Sequence, residues 1–313
     1  MTSSETVAAI DVGSNSIKLL VARRGEAGEC IETVFSETIE TRISAGISNE
    51  LPSLSNEAIH AGTETIAELV RTAGSFTPKA MTIVATSAVR DAINGVDFIQ
   101  SVKDATGHDI RILSGTDEAT IIGKGLACDP AIEQTPEFIQ MDIGGGSLEL
   151  IRFSHSKIEQ AISLQLGAVR LTERFIEDRE RPISSSAEAA IQKHVQAELT
   201  QSGFSFLPHT NPLIATGGAF SVTRAVLAAE AGTTIDHFPA ELTTHGISTL
   251  KSKLTAMPLH ERMSVPHLPA SRADIVPTAL ITIETLMNYA QRDRVTHSFY
   301  NLRYGLVAEM LEL

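Results

Sequence analysis

One ten-residue pattern occurs twice in this chain. Asp11-Val12-Gly13-Ser14-Asn15-Ser16-Ile17-Lys18-Leu19-Leu20 aligns with Asp142-Ile143-Gly144-Gly145-Gly146-Ser147-Leu148-Glu149-Leu150-Ile151. Asp, Gly, Ser and one Leu coincide, and the other apolar positions correspond. Each copy lies between apolar runs: Val7–Ile10 and Ile17–Ala22 in the first, Phe138–Ile143 and Leu148–Phe153 in the second. Each therefore reads as a β-hairpin with an acidic residue and a glycine-containing turn at its tip. A single copy reads equally well as an ordinary turn, because Asp, Gly and Ser are common turn formers. Two copies, each opening one half of the chain, point instead to a duplicated lobe with a cleft between the copies.

Glycine lets a turn backbone come close to a ligand, and successive N–H groups in such a turn form a nest for an anion. An Asp beside it can hold Mg²⁺ directly or through water. Around the hairpins, short apolar runs alternate with helical patterns, the rhythm of an α/β fold. A helix capped by Ser55 carries Ile59, Ile66, Leu69 and Val70. Strands are expected at Met81–Ala85, Ile110–Leu113 and Leu213–Thr216. Further helices are expected after Ser114, from Ser184 to about Leu199, over Ile275–Tyr289 and over Tyr304–Leu311. The stretch Cys128–Pro136 carries two prolines and is the expected crossing, which divides the chain into lobes at 1–127 and 128–313.

A formal net charge of -13 argues against a broad nucleic-acid surface. It leaves room for an anion held by local arginines, backbone N–H groups and a bound cation. Cys30 and Cys128 are the only cysteines, too few for a disulfide framework or a zinc cluster, so a reducing cytoplasmic setting is expected. The N-terminal residues show neither a signal peptide nor a membrane span. His260-Glu261 lacks the second histidine of a zinc-protease motif.

The opening Ala9-Ile10-Asp11-Val12-Gly13-Ser14-Asn15-Ser16-Ile17-Lys18 resembles the first motif of the exopolyphosphatase and guanosine pentaphosphate phosphatase family. That family belongs to the actin, sugar-kinase and heat-shock-chaperone superfamily. Further segments resemble the family in order: Thr86-Ser87-Ala88-Val89-Arg90, Ser114-Gly115-Thr116-Asp117-Glu118-Ala119, Asp142 to Glu149, Leu164 to Glu173, Thr216-Gly217-Gly218 and Arg272–Pro277. The resemblance runs almost end to end. Arg42-Ile43-Ser44-Ala45-Gly46 and Asn301-Leu302-Arg303-Tyr304-Gly305 depart from the family pattern at positions that bear on substrate preference.

The resemblance implies two lobes of ribonuclease H-like (actin-like ATPase) fold. It also implies hydrolysis of terminal phosphates from inorganic polyphosphate, or of the 5′ γ-phosphate of guanosine pentaphosphate. In that chemistry the N–H groups of Gly144, Gly145, Gly146 and Ser147 cradle the terminal phosphate. Asn15 donates from the other loop, and Arg90 grips phosphate oxygens in a fork. Arg272 is a second basic contact, carried over from the family. Asp11, Asp142 and Glu149 form the Mg²⁺ neighbourhood, with Mn²⁺ as the alternative ion. Glu118, on the same resemblance, orients or deprotonates the attacking water. Taken singly, Arg90 and Arg272 also fit surface ion pairs, Glu118 fits a helix-dipole partner, and Gly217-Gly218 fits a plain strand-to-helix turn. Arg170, Glu173 and Arg303 read as lobe-packing ion pairs outside the site. Two other functions remain open: an ATP-dependent kinase or ATPase with adenosine near Thr216-Gly217-Gly218-Ala219, and a non-catalytic sensor of polyphosphate or nucleotide. The apolar Ile275–Leu286 stretch suggests either a core helix or a homodimer face.

Overall fold

A computed structural model describes residues 5–26, 29–132, 135–154, 157–208 and 210–313. It divides into two compact units: Met1–Pro136 together with Tyr300–Leu313, and Glu137–Phe299. The first unit contains strands β1 (Val7–Val12), β2 (Ser16–Arg24) and β3 (Ile31–Glu40), then α1 (Asn56–Gly74), β4 (Ala80–Ala85), α2 (Ser87–Arg90), α3 (Gly95–Thr106), β5 (Ile110–Ile112) and α4 (Gly115–Ala127). Its sheet has the order β3-β2-β1-β4-β5. β1 runs antiparallel to β2 and parallel to β4, which is parallel to β5. All six residues of β1 are buried. Strand side chains alternate between faces, so both faces of the sheet centre are covered.

The helices begin where local chemistry allows. The Ser55 hydroxyl accepts from the Ala58 N–H at 3.1 Å and caps α1. α4 opens with a reciprocal capping box between Ser114 and Asp117. β3 was not expected from the sequence. Its Glu, Ser and Thr residues mask the alternation, and the register shift opposite Val21 and Ala22 leaves Val34 as an extra residue.

The second unit contains β6 (Glu137–Ile143), β7 (Leu148–Ser154), β8 (Lys157–Leu164), α5 (Ala168–Phe175), α6 (Ser185–Gln201), β9 (Leu213–Thr216), α7 (Gly218–Glu230), β10 (Glu241–Thr243), α8 (Thr244–Ala256), α9 (Leu259–Arg262), α10 (Val276–Tyr289) and β11 (Arg294–His297). From β8 the sheet order is β8-β7-β6-β9-β11-β10. Its first five positions repeat the order and strand directions of the first unit; β10 adds an antiparallel edge. Every residue of α10 from Val276 to Met287 is buried. The apolar stripe that suggested a homodimer is thus used inside this unit's own core.

The observed division differs from lobes at 1–127 and 128–313. Within the expected crossing, Glu133 and Gln134 lie outside the described residues. The C-terminal helix, Leu302–Leu311, packs on α4, β1 and β2 of the first unit. The physical reason is a pair of glycines. A side chain on Gly125 would run into the Asn301 carbonyl, and one on Gly305 would overlap the Ile121 carbonyl. Lys124 and Glu309, 2.7 Å apart, tie the same helices at their surface. Among the described residues no helix is long and apolar enough to cross a membrane.

Gly305→Ala should destabilise the first unit by roughly 2 kcal/mol or more, because the opposing atom is backbone and cannot swing aside. Urea unfolding measures this, and an unchanged midpoint would show that the helix pair has slack.

Candidate functional site

Both central hairpins close in the same way. The Gly13 N–H donates to the Ser16 carbonyl at 3.1 Å, and the Gly144 N–H donates to the Ser147 carbonyl at 3.0 Å. The Asp two positions before each glycine is buried, at 7% exposure for Asp11 and 8% for Asp142. In register, Asp11 faces Lys18 and Asp142 faces Glu149. The repeat read from sequence is therefore a repeat of backbone geometry.

In the second unit the N-terminus of α5 fastens the glycine turn. The Gly144 carbonyl accepts from Ala168 N–H (3.0 Å). The Gly145 carbonyl accepts from Val169 N–H (2.8 Å) and Arg170 N–H (3.2 Å). The Gly146 carbonyl accepts from Arg170 Nε (2.9 Å). A trans peptide points its N–H opposite to its C=O. The N–H groups of Gly145, Gly146 and Ser147 therefore point away from α5, and among the described residues they have no protein acceptor. Gly144 differs from expectation: its N–H closes the turn, so three donors rather than four are presented. Gly167 makes the close contact possible, since a side chain there would strike the backbone of Gly145 and Gly146.

The same unit carries Asp142 and Glu149 opposite one another on β6 and β7, and Arg272 against Gly218. Thr216 Oγ donates to Asp142 Oδ2 at 2.5 Å, and Gln140 Nε2 donates to Thr216 Oγ at 3.2 Å. Ser163 Oγ donates to Glu149 Oε1 at 2.8 Å. Gly217 has φ of 94°, and a Cβ on it would lie 2.5 Å from Asp142 Oδ1. A Cβ on Gly218 would overlap Arg272 Nη1. Gly217 and Gly218 thus do more than turn a strand into a helix: they admit a carboxylate and a guanidinium at neighbouring positions.

In the first unit, loop, Arg90 and Glu118 meet at the C-terminal ends of β1, β4 and β5. Ser14 Oγ and Ser87 Oγ lie 3.0 Å apart and join the loop tip to α2. Arg90, the last residue of α2, donates from Nη1 to Glu118 Oε2 (3.2 Å) and to the Leu113 carbonyl (3.0 Å). Glu118 is 7% exposed in the first turn of α4. Asn15 is hydrogen-bonded inside the first unit. Its amide donates to Glu40 Oε2 at 2.5 Å, and its Oδ1 accepts from Arg42 Nε at 3.0 Å, so it clamps the end of β3.

The three carboxylates proposed for a metal are not equivalent. Asp11 lies 3.7 Å from Lys18 Nζ. It also faces the guanidinium of Arg303, whose pKa burial lowers and Asp11 raises. Asp142 and Glu149 face one another across β6 and β7 with hydroxyl donors behind them. Two oxygen-donor carboxylates fit Mg²⁺, which keeps several waters and uses few protein ligands. Among the described residues no cluster of three His, Cys, Asp or Glu is placed to hold a metal.

Thr216, Ser163 and Arg170 were not among the expected site residues. Only Thr216 carries a local signal, as the last strand residue before a glycine pair. Arg170 and Arg303 were expected to bridge lobes. Within their own units, Arg170 donates to the Gly146 carbonyl and Arg303 donates to the Leu19 carbonyl and Ser36 Oγ.

Two α/β units with the same strand order, each ending its central hairpin in an acidic glycine turn, define the actin-like, ribonuclease H-like class. Residues 20–313 match the model of the Ppx/GppA phosphatase family, and the chain belongs to that family. Among solved structures, an exopolyphosphatase from Cytophaga hutchinsonii is 22% identical, with 98% of each chain covered and a TM-score of 0.89. An Aquifex aeolicus Ppx/GppA family member is also 22% identical, with 98% of each chain covered and a TM-score of 0.80. At these identities the likeness concerns the fold.

Behind Gly217 lies a buried histidine. Ser221 Oγ donates to the Gly217 carbonyl at 3.2 Å and lies 3.1 Å from His297 Nε2. His297 Nδ1 lies 3.5 Å from Arg224 Nη1. Burial, with Arg224 adding to it, pushes the His297 pKa down to about 3. The unfolded chain, with an ordinary histidine pKa of about 6.5, binds this proton and the folded chain does not. The associated stability is complete above pH 6.5 and is lost as pH falls toward 3. His297 should therefore cost about 2 kcal/mol of stability between pH 7 and pH 5. Urea unfolding at the two pH values should show a smaller difference in His297→Gln; an equal difference would contradict the buried neutral imidazole.

Proposed function

We propose that the chain is an exopolyphosphatase, hydrolysing the terminal phosphate of inorganic polyphosphate by metal-assisted attack of water. The observation that carries this reading is the run of three unpartnered N–H donors at Gly145, Gly146 and Ser147. Three donors fixed in place and aimed one way suit the equatorial oxygens of a phosphoryl group. They need no reorganisation as charge shifts in the transition state. Family membership agrees with it, as does the fold likeness to an exopolyphosphatase from Cytophaga hutchinsonii.

The residues divide the work by type. The loop N–H groups and the Ser147 hydroxyl bind the terminal phosphate. Arg272, held against Gly218, neutralises and orients it. Asp142 and Glu149 would hold Mg²⁺, or Mn²⁺ in its place, with Thr216 and Ser163 fixing their oxygens. Such an ion supplies charge neutralisation on the phosphate oxygens. Glu118 orients the water and accepts its proton late, since a loose transition state asks little of a base at first. Arg90 aims Glu118 through the 3.2 Å contact. In this reading Asp11, neutralised by Lys18 and Arg303, supports the first loop rather than the metal.

The guanidinium on Gly218 also weighs against the kinase alternative, because the Thr216–Ala219 turn would have to receive adenosine there. Turnover separates hydrolysis from a non-catalytic sensor. Phosphate release should be seen with Mg²⁺ from polyphosphate and be lost on chelation. Glu118→Gln should lower turnover roughly a hundred-fold or more while inhibition by inorganic phosphate persists. Release from guanosine pentaphosphate but not polyphosphate would move the substrate and keep the reaction. Release from neither would sink the proposal.

A further inference from the structure

Three carbonyls of the glycine turn face α5, but they are held in two ways. Those of Gly144 and Gly145 are held by backbone N–H groups, which nearly any sequence would supply. That of Gly146 is held by one side chain, Arg170 Nε, at 2.9 Å. Arg170 is 7% exposed, and its helix sits so close that Gly167 has no room for a side chain against Gly145 and Gly146. The Gly146–Ser147 peptide is therefore the one of these three whose carbonyl is held by a side chain.

We propose Arg170 as the positioning residue for the Ser147 N–H, and through it for bound phosphate. The idea rests on the reading of this loop as a phosphate cradle and adds what keeps the cradle in its donor state. Gly146 offers little steric resistance to rotation of the peptide that follows it. Rotation would replace an N–H donor by a C=O acceptor, putting a negative dipole where the anion binds. A charge-assisted bond to the Gly146 oxygen opposes that rotation. It also polarises the same peptide, which makes the Ser147 N–H a stronger donor. Arginine suits the task because its Nε–H lies in a rigid plane and its charge persists at any working pH. Arg170 touches neither phosphate nor water in this scheme.

The test uses the full chain, with inorganic phosphate as the binding probe and polyphosphate as substrate. In ¹⁵N-labelled wild-type protein, phosphate should shift the amide signals of Gly145, Gly146 and Ser147. In Arg170→Met the Gly145 response should persist, the Ser147 response should disappear, and phosphate inhibition should weaken roughly ten-fold. The turnover number should fall roughly a hundred-fold, with KM changing much less. Arg170→Lys should recover part of the turnover. A folded Arg170→Met with a wild-type Ser147 response and turnover would overturn the assignment. If Arg170→Met does not fold, Arg170→Gln is read in the same way. Failure of both to fold would make Arg170 a folding residue and overturn it as well. A wild-type protein whose loop amides ignore phosphate would instead remove the cradle reading underneath.

Discussion

The hydrogen bond from the Gly144 N–H to the Ser147 carbonyl fixes everything that follows in the second unit. It makes the turn tight enough for three consecutive carbonyls to face one way, onto the start of α5. It thereby makes three consecutive N–H groups face the other way. Unsatisfied donors in a half-buried turn cost free energy, on the order of 1–3 kcal/mol for each that is fully desolvated. A fold keeps such groups together only where something else returns the cost, and an anion does so directly. The neighbouring carboxylates are oriented as well: Asp142 and Glu149 each accept from a hydroxyl on an adjacent strand.

Much of this was legible in the sequence because it is local. The hairpins follow from apolar runs around Asp-x-Gly-x-x-Ser, the α4 start from its Ser114 and Asp117 capping box, and the core of α10 from its mostly apolar stretch. What was hidden depends on contacts between distant segments. Arg170 meets Gly146 from 24 residues away, and Thr216 meets Asp142 from 74 residues away. No periodicity encodes either contact. The return of the C-terminal helix to the first unit was hidden for the same reason. Gly125 and Gly305 are unremarkable helix glycines until each is seen against the other helix's backbone. Asn15 also shows contacts that its motif position does not announce: its amide donates to Glu40, and its Oδ1 accepts from Arg42.

The two hairpins share a backbone yet differ at one register position, and that difference separates their chemistry. Opposite Asp11 stands Lys18; opposite Asp142 stands Glu149. Directly opposed residues lie on the same face of an antiparallel pair. The first hairpin therefore carries a neutralised pair, reinforced by the Arg303 guanidinium. The second sets two carboxylates opposite one another, Asp142 at 8% and Glu149 at 2% exposure. One duplication thus yields an acid–base pair in one hairpin and a pair of carboxylates in the other. The acidic balance of the whole chain is consistent with this division. Single guanidinium groups are placed at particular partners, Arg90 against Glu118 and Arg272 against Gly218. An anion that enters such a protein is recognised by fixed dipoles and one or two guanidinium groups, not by net charge.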